Sequence, residues 1–576
     1  MVTDDILGLI LSGKFDSAIK VIETLDPQSF RYRYLKTTLY ATMYEVDIIK
    51  EKYSEWFDPE KLNETQRFFL DLTLLDYSLN ADLLDYHSRD EIIQGFEHRL
   101  ESLPISEEKK KYYGLVLLGY RGVASIASGL YNNAETFLSE SIKIIDENSL
   151  FQRAASALMR ILHGIVHLEL GDYETAKRIF SEVKDYSKKD NNILGYGRSS
   201  TYLAYSEFLT GNFKTGLNEL LECLNYIKEN HLPKADLGIV YLLLSRIYLS
   251  KGEYNVAKRF LLSAIENFES FNDKRNLANC YAEMGAIYYE QGMLDMALES
   301  YQKSLASNLK LGNQLKIAIA MKDIATVNHE RKPDSTYGEY LNIALEQALK
   351  VGHSSLVAEL CYYLITGGSV DKSRKEYAMS VFSDITKDAD ESSDVTLLYK
   401  LTKSSMLKNS TRIIDKFEAQ QIYFSIIENK KLHSKFLVDA YLALFELLLL
   451  ELKISSDSGE DVMEDIRIIS QKLEDYLKIS GSMNVRLKLM ILRSRFFLLE
   501  QKLDDAQKTL LEAEELAIAK GFYSLKEKIA KERSDLTAYI AKWLKLIEQN
   551  KENIENYRRK QIIEYLNDAS KVVKMF

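Results

Sequence analysis

The sequence predicts an all-α fold, a solenoid of antiparallel helix pairs, and three observations support this. Only 5 of 576 residues are proline, so long helices can run without interruption. Apolar residues recur at spacings of three and four, as on one face of a helix. A block of about forty residues also repeats through the middle of the chain, which is typical of a stacked array. Its turn glycines, 42, 40, 41 and 40 positions apart, are Gly129, Gly171, Gly211, Gly252 and Gly292.

Each repeat is predicted to contain two helices, and the block around Gly292 is the type case. Its first helix, helix A, should run from about Asn276 to Glu290, because apolar residues mark one face throughout. Gly292 should close the turn, since helices commonly end at a residue with positive φ. The second helix, helix B, should begin near Leu294 and stop at Gly312.

These blocks resemble the tetratricopeptide repeat (TPR), in which small, aromatic and Ala positions stand at fixed distances from the turn glycine. The matching residues are Gly285, Tyr288, Gly292, Leu294 and Ala297 in one block, and Ser245, Tyr248, Gly252, Tyr254 and Ala257 in the block before it. The period is about 40 rather than 34, which resembles the long repeats of kinesin light chains and maltose-activator-like regulators. The resemblance implies a right-handed superhelix.

The strength of the repeat pattern divides the chain into three predicted regions. Residues 1–108 form an N-terminal helical, TPR-like region, and residues 109–352 form the TPR array. Residues 353–576 form a degenerate TPR-like region, in which Gln501 stands at the position of a turn glycine. Its last segment should cap the array, because an end repeat needs a polar outer face. Two polar runs, 387–394 and 455–461, are predicted to be exposed loops.

Composition argues against several classes of protein. A net charge of −10 disfavours nonspecific binding to nucleic acid or to an anionic membrane. The three cysteines are far apart and form no CxxC pair, which predicts buried thiols rather than a disulfide framework or a zinc site. The most apolar stretch, 436–452, is broken by three acidic residues, and the N-terminus lacks the basic residues of a signal peptide. A cytoplasmic protein is therefore predicted.

Few motifs in the chain point to chemistry. His163 and His167 have a metal-compatible spacing of four on one helix, but no HExxH glutamate lies between them. We therefore expect structural histidines and no metal. Phosphate-binding glycine motifs and a nucleophile elbow are absent, and Gly367-Gly368 reads as a helix break. These observations predict a protein without a cofactor that is not an enzyme.

The resemblance to TPR arrays implies that a protein or peptide partner binds the concave face, which helix A residues line at fixed offsets before the turn glycine. Arg and Tyr at these offsets are the residue types that dominate protein interfaces. The alternative is that this face packs internally, closed by the superhelix or by the flanking regions. The candidate partner-binding residues are Glu169, Arg198, Tyr202, Tyr205, Arg246, Asn279, Glu283, Tyr289 and Glu290.

The favoured function is a non-catalytic scaffold or adaptor that uses this concave face. The alternative is a signal-responsive regulator, whose superhelix binds a small peptide or metabolite and changes shape. An enzyme and a structural subunit of a larger assembly are further alternatives. On the scaffold hypothesis, Arg246→Glu should abolish partner binding without lowering thermal stability.

Overall fold

A computed structural model describes residues 3–80, 86–144, 149–251, 253–331, 336–367, 370–387, 389, 393–428, 434–454, 460–480, 483–500, 502–519 and 523–549. These residues form 27 α-helices, one short 3-10 helix at Pro59–Lys61, and no strand. The predicted all-α fold, a solenoid of antiparallel helix pairs, is confirmed. The regional boundaries at 108 and 352 stay predictions.

Several predicted features lie outside the described residues. They include the turn position Gly252, the Gln501 position and Gly368. Residues 388 and 390–392 of the polar run 387–394, residues 455–459 and the end of the capping segment after residue 549 lie outside as well.

Six helices precede the array, and the first of them packs against it. Ser12, which follows the first helix, accepts a hydrogen bond from the backbone N–H of Leu194 at 3.2 Å. A Cβ on Gly8 would lie 2.9 Å from the backbone nitrogen of Phe151, so this glycine permits the close approach. The helices are α1 Thr3–Leu11, α2 Phe15–Ile22, α3 Phe30–Met43, α4 Val46–Trp56, α5 Glu64–Asn80 and α6 Tyr86–Ser102.

The array consists of alternating A and B helices that pair in antiparallel fashion. Its first six helices are α7 Glu107–Ala127, α8 Tyr131–Ile144, α9 Leu150–Glu169, α10 Tyr173–Lys189, α11 Ile193–Leu209 and α12 Phe213–Glu229. Its next six are α13 Lys234–Ser250, α14 Tyr254–Glu269, α15 Lys274–Glu290, α16 Leu294–Leu311, α17 Gln314–Arg331 and α18 Thr336–Val351. The two helices predicted around Gly292 are therefore α15 and α16.

The turn within that repeat forms for identifiable reasons. The side chain of Asp273 caps α15 by accepting a hydrogen bond from the backbone N–H of Asn276 at 2.9 Å. Gly292 has a φ of +75°, as the sequence predicted. Gly285 lets α15 and α16 approach, because a Cβ there would lie 2.7 Å from the ring of Tyr301.

A second periodic turn joins each repeat to the next, at residues with left-handed backbone conformation. Three of these residues are not glycine: Asn191, His231 and Asn272 have φ values of 51°, 51° and 57°. Gly312 and Gly352 continue the series, so that successive members are 40, 41, 40 and 40 positions apart. The sequence pattern based on glycine alone therefore missed three of these five turns.

Helices α19 to α27 continue the helical chain beyond the array. Buried side chains from Leu315 to Phe496 belong to one hydrophobic core, so no break in packing separates the two regions. These helices are α19 Ser354–Thr366, α20 Lys372–Thr386, α21 Asp394–Lys408, α22 Ile413–Glu428, α23 Ser434–Ile454, α24 Glu460–Ser480, α25 Met483–Leu499, α26 Leu503–Ala519 and α27 Tyr523–Gln549.

The superhelix is wound tightly enough for successive turns to touch. Asn313 donates a hydrogen bond through Nδ2 to the backbone oxygen of Ala127, 186 positions earlier, at 3.1 Å. The ring of His353 lies 3.1 Å through Nε2 from the backbone oxygen of Glu169, 184 positions earlier. The ends of helices in one superhelical turn therefore rest on the starts of helices in the next.

Candidate functional site on the inner helices

The arginines predicted to bind a partner form ion pairs between neighbouring repeats. Arg198 of α11 donates to Asp236 of α13 through Nε at 2.7 Å and through Nη2 at 3.2 Å. Arg246 of α13 donates to Glu283 of α15 through Nε at 2.6 Å. The partners are 38 and 37 positions apart, so each pair links equivalent helices of successive repeats.

The same spacing recurs along the chain and defines an inter-repeat ladder of ion pairs. In each pair, a cationic side chain bonds a carboxylate 37 or 38 positions later. The most deeply buried pair is Arg495–Glu532, whose side chains are only 8% and 4% exposed. The ladder comprises Arg153–Asp190, Arg198–Asp236, Arg246–Glu283, Lys322–Glu359, Lys408–Glu446 and Arg495–Glu532.

The ladder keeps the inner arginines charged. Burial by itself would lower the pKa of Arg198, but the Asp236 carboxylate raises it above its usual range. Glu283 acts in the same way on the pKa of Arg246. These guanidinium groups therefore stay cationic inside the array, held by bonds within the chain.

Glu169 lies at a junction between superhelical turns. Its carboxylate accepts a hydrogen bond from Nζ of Lys316 at 2.7 Å and one from the hydroxyl of Tyr131 at 3.4 Å. Burial would raise the pKa of Glu169, yet the charge and hydrogen bond of Lys316, together with the nearby Arg246 and His353, hold the pKa below its usual value. Glu169 is therefore an ionised group that helps hold two turns together.

The structure brings some of the remaining candidates together. Tyr205 is hydrogen-bonded to Arg246, and Glu169 also acts electrostatically on Arg246. Together with Glu283, these residues make one charged cluster, called here the central network. Tyr202 stacks on Phe180 with 5.4 Å between ring centroids and lies within electrostatic range of Glu169 and Arg198.

Three candidates lie farther along the array, on α15. Asn279 donates through Nδ2 to Oδ1 of Asn276 at 3.4 Å. Glu290 is hydrogen-bonded to the hydroxyl of Tyr254, and Tyr289 is half-buried.

Apolar positions beside the candidate residues are covered by the N-terminal helices. Ile6, Ile10 and Leu39 belong to the same buried cluster as Leu243 of α13. The ring of Tyr44, which follows α3, lies 4.9 Å from that of Phe271. Internal packing therefore accounts for part of the predicted face.

The expected tolerance of Arg246→Glu is wrong on this geometry. The new carboxylate would face Glu283, to which Arg246 now donates, and would add to the negative charge of Glu169 nearby. Like charges at close range are destabilising. The substitution should therefore lower thermal stability, whatever it does to a partner.

The cysteines are buried, as predicted. Burial raises the pKa of Cys223 to about 11, so its thiol stays protonated near neutral pH. Within the described ranges, no helix has both the length and the apolar character needed to cross a membrane.

Comparison with known proteins found one family profile. Residues 96–331 match a profile described as cohesin loading factor, and this range spans less than half of the 576-residue chain. It runs from α6 to the end of α17 and so contains most of the array. A search among curated proteins found no match.

Solved structures with similar helical arrangements are distant in sequence. A Rap protein complexed with competence and sporulation factor is 14% identical, with 75% of this chain and 99% of that chain covered and a TM-score of 0.37. A human IFIT1 dimer with m7Gppp-AAAA is 16% identical, with 83% and 95% covered and a TM-score of 0.32. A signal-transduction ATPase with a TPR sensor from Pyrococcus horikoshii is 13% identical, with 88% and 75% covered and a TM-score of 0.29. The chain is a TPR-like helical repeat protein, similar over residues 96–331 to the cohesin loading factor family.

Proposed function

We propose that this protein is a non-catalytic interaction scaffold that acts in cohesin loading. The profile match over residues 96–331 is the observation that carries this proposal. The repeat architecture supports a scaffold, because stacked helix pairs present long continuous surfaces to other proteins. The sequence also lacks the glycine-rich phosphate loops and nucleophile motifs on which many enzymes depend.

A protein or peptide partner would contact the concave residues through groups that the ladder does not use. A guanidinium has five N–H groups, and Arg246 donates Nε–H to Glu283 and is also hydrogen-bonded to Tyr205. Arg198 uses Nε and Nη2 for Asp236. The remaining N–H groups can donate to backbone or carboxylate oxygens of a partner, while the ladder holds each guanidinium in place.

Two finer assignments belong to the same proposal. The repeat is the long TPR type, because its period is about 40 and helices α11 to α17 contain 16 to 18 residues. A role in cohesin loading would place the protein where cohesin meets chromatin rather than in the cytoplasm, and it would not require the chain itself to bind nucleic acid or a membrane.

The test combines the purified chain with cohesin and with proteins that load it, and measures affinity. The informative variant is Arg198→Lys/Arg246→Lys, since lysine keeps the charge for the ladder but lacks the planar fork of N–H groups. The matched control is Arg178→Lys/Arg259→Lys, which changes two exposed arginines on B helices. We expect the first variant to bind about tenfold more weakly than the wild type. The control variant should bind with unchanged affinity.

Each alternative result has a distinct meaning. Equal affinity of both variants would overturn the concave assignment while leaving the role in cohesin loading intact. No association of the wild-type chain with any of these proteins would contradict the role in cohesin loading.

A further inference from the structure

Three potential metal ligands converge between helices α8 and α9. His163 and His167 lie one helical turn apart on α9, and their Nε2 atoms are 3.3 Å from each other. Glu135 of α8 faces them, so that a ligand atom from each of the three side chains lies within 4.8 Å of the other two. The sequence spacing revealed the two histidines, but the third group comes from the neighbouring helix.

His167 is held in the tautomer that suits a metal ligand. Nδ1 of His167 lies 3.2 Å from the Asp172 carboxylate, which can only accept a hydrogen bond. The proton of a neutral His167 ring therefore resides on Nδ1, leaving the lone pair of Nε2 directed at His163. This carboxylate–histidine arrangement is the usual support of a metal-bound imidazole.

We propose that Glu135, His163 and His167 bind one zinc ion or a similar first-row divalent metal ion. Two nitrogen ligands at about 2.0–2.1 Å in tetrahedral geometry lie about 3.3 Å apart, which is the separation found here. Imidazole and carboxylate together suit zinc, and three protein ligands leave a fourth position for water.

The glutamate of an HExxH motif is a catalytic base rather than a ligand, so its absence between the histidines does not weigh against binding. An ion at this position would join α8 to α9 and so link one repeat to the next. The proposal does not depend on the function in cohesin loading.

Without a metal, the short contact between the two Nε2 atoms requires another explanation. A neutral pair would place a proton on Nε2 of His163 and share it with His167, while Ser139 Oγ lies 3.4 Å from His163 Nε2. A metal ion would displace that proton and bond both nitrogens. Zinc binding by the full-length chain distinguishes the metal site from a metal-free hydrogen-bonded pair, and it can be measured directly.

The test is calorimetric titration of zinc into the full-length chain after chelator treatment. We expect one equivalent to bind with a Kd below about 10 μM. His163→Ala/His167→Ala should abolish this binding, and Asp172→Asn should weaken it about tenfold by loosening the support of His167. His98→Ala/His231→Asn, which changes two exposed histidines and keeps a residue that tolerates the left-handed turn at 231, is the matched control and should bind like the wild type.

Folding of each variant is checked by circular dichroism and melting without metal. Glu135→Gln serves where the double alanine variant does not fold, and it should weaken binding at least tenfold. Cobalt(II) in place of zinc should give the visible absorption of a tetrahedral site in the wild type and in the control variant. The ligand variants should lack this absorption. Failure of the wild type to bind zinc, or equal binding by the wild type and the folded ligand variants, would overturn the site.

Discussion

Breaking the most buried rung of the inter-repeat ladder should destabilise the end of the solenoid. Arg495 of α25 donates to Glu532 of α27 through Nε at 2.8 Å and through Nη2 at 2.9 Å. Arg495→Met removes the guanidinium but leaves the carboxylate, which is 4% exposed, inside the packed interface. Removing one partner of a buried ion pair costs about 3–5 kcal/mol, because the remaining charge is poorly solvated.

The double variant separates the cost of a buried charge from the loss of packing. Arg495→Met/Glu532→Leu replaces both charged groups with apolar side chains, which is often close to neutral in stability. The control is Arg467→Met, since Arg467 is 54% exposed and pairs with Glu500 near the surface. An exposed pair contributes about 0–1 kcal/mol, so this variant should hardly change stability.

Hydrogen exchange with mass spectrometry is the suitable assay, because the end of a repeat array can open without global unfolding. Protection of α25, α26 and α27 should fall by about two to four orders of magnitude in Arg495→Met, the equivalent of 3–5 kcal/mol. The double variant should recover most of that protection. Equal losses in the single and double variants, or none in either, would refute the reasoning.

Two further predictions concern the array itself. Gly285→Leu should lower stability by about 1–3 kcal/mol, since even its Cβ would meet the ring of Tyr301 at 2.7 Å; calorimetry should show a lower Tm. Gly95→Ala, with nothing within 4 Å of the new Cβ, is its control and should raise stability by about 1 kcal/mol. The ion pair with Lys316 helps hold the pKa of Glu169 below its unfolded value. The stabilisation of the fold by this pair is therefore complete above the unfolded pKa of about 4.3, and it is lost as the pH falls through the lower folded pKa. Between about pH 5 and pH 3, the Tm of Glu169→Gln should therefore fall less than the Tm of the wild type. An equal fall in both proteins would contradict the stabilising role of the Glu169 carboxylate.

The repeat architecture could be predicted because each local signal repeats along the chain. Turn glycines at a fixed period, helical apolar spacing and scarce prolines all indicate the same helix pairs. The helix predicted from Asn276 to Glu290 begins two residues earlier, at Lys274, where Asp273 supplies the cap. Asn191 and His231 were missed as turn residues because glycine was taken as the only marker of positive φ.

The inner face was harder to predict, because it depends on how helices pack across repeats. Offsets from the turn glycine located Arg198 and Arg246, but they did not reveal the acids that bind them one repeat later. That signal is present in the sequence as a cation followed by an acid after 37 or 38 positions. The contact of Leu194 with Ser12 has no such periodic signal, because it joins two turns of the superhelix.

The proposed role in cohesin loading is tested most directly by the amount of chromatin-bound cohesin after rapid depletion of this protein from cells that carry it. Chromatin-bound cohesin should fall while total cohesin stays constant. Resupplied wild-type protein and Arg178→Lys/Arg259→Lys should restore it, and Arg198→Lys/Arg246→Lys should not. An unchanged amount of chromatin-bound cohesin after complete depletion would contradict the central claim.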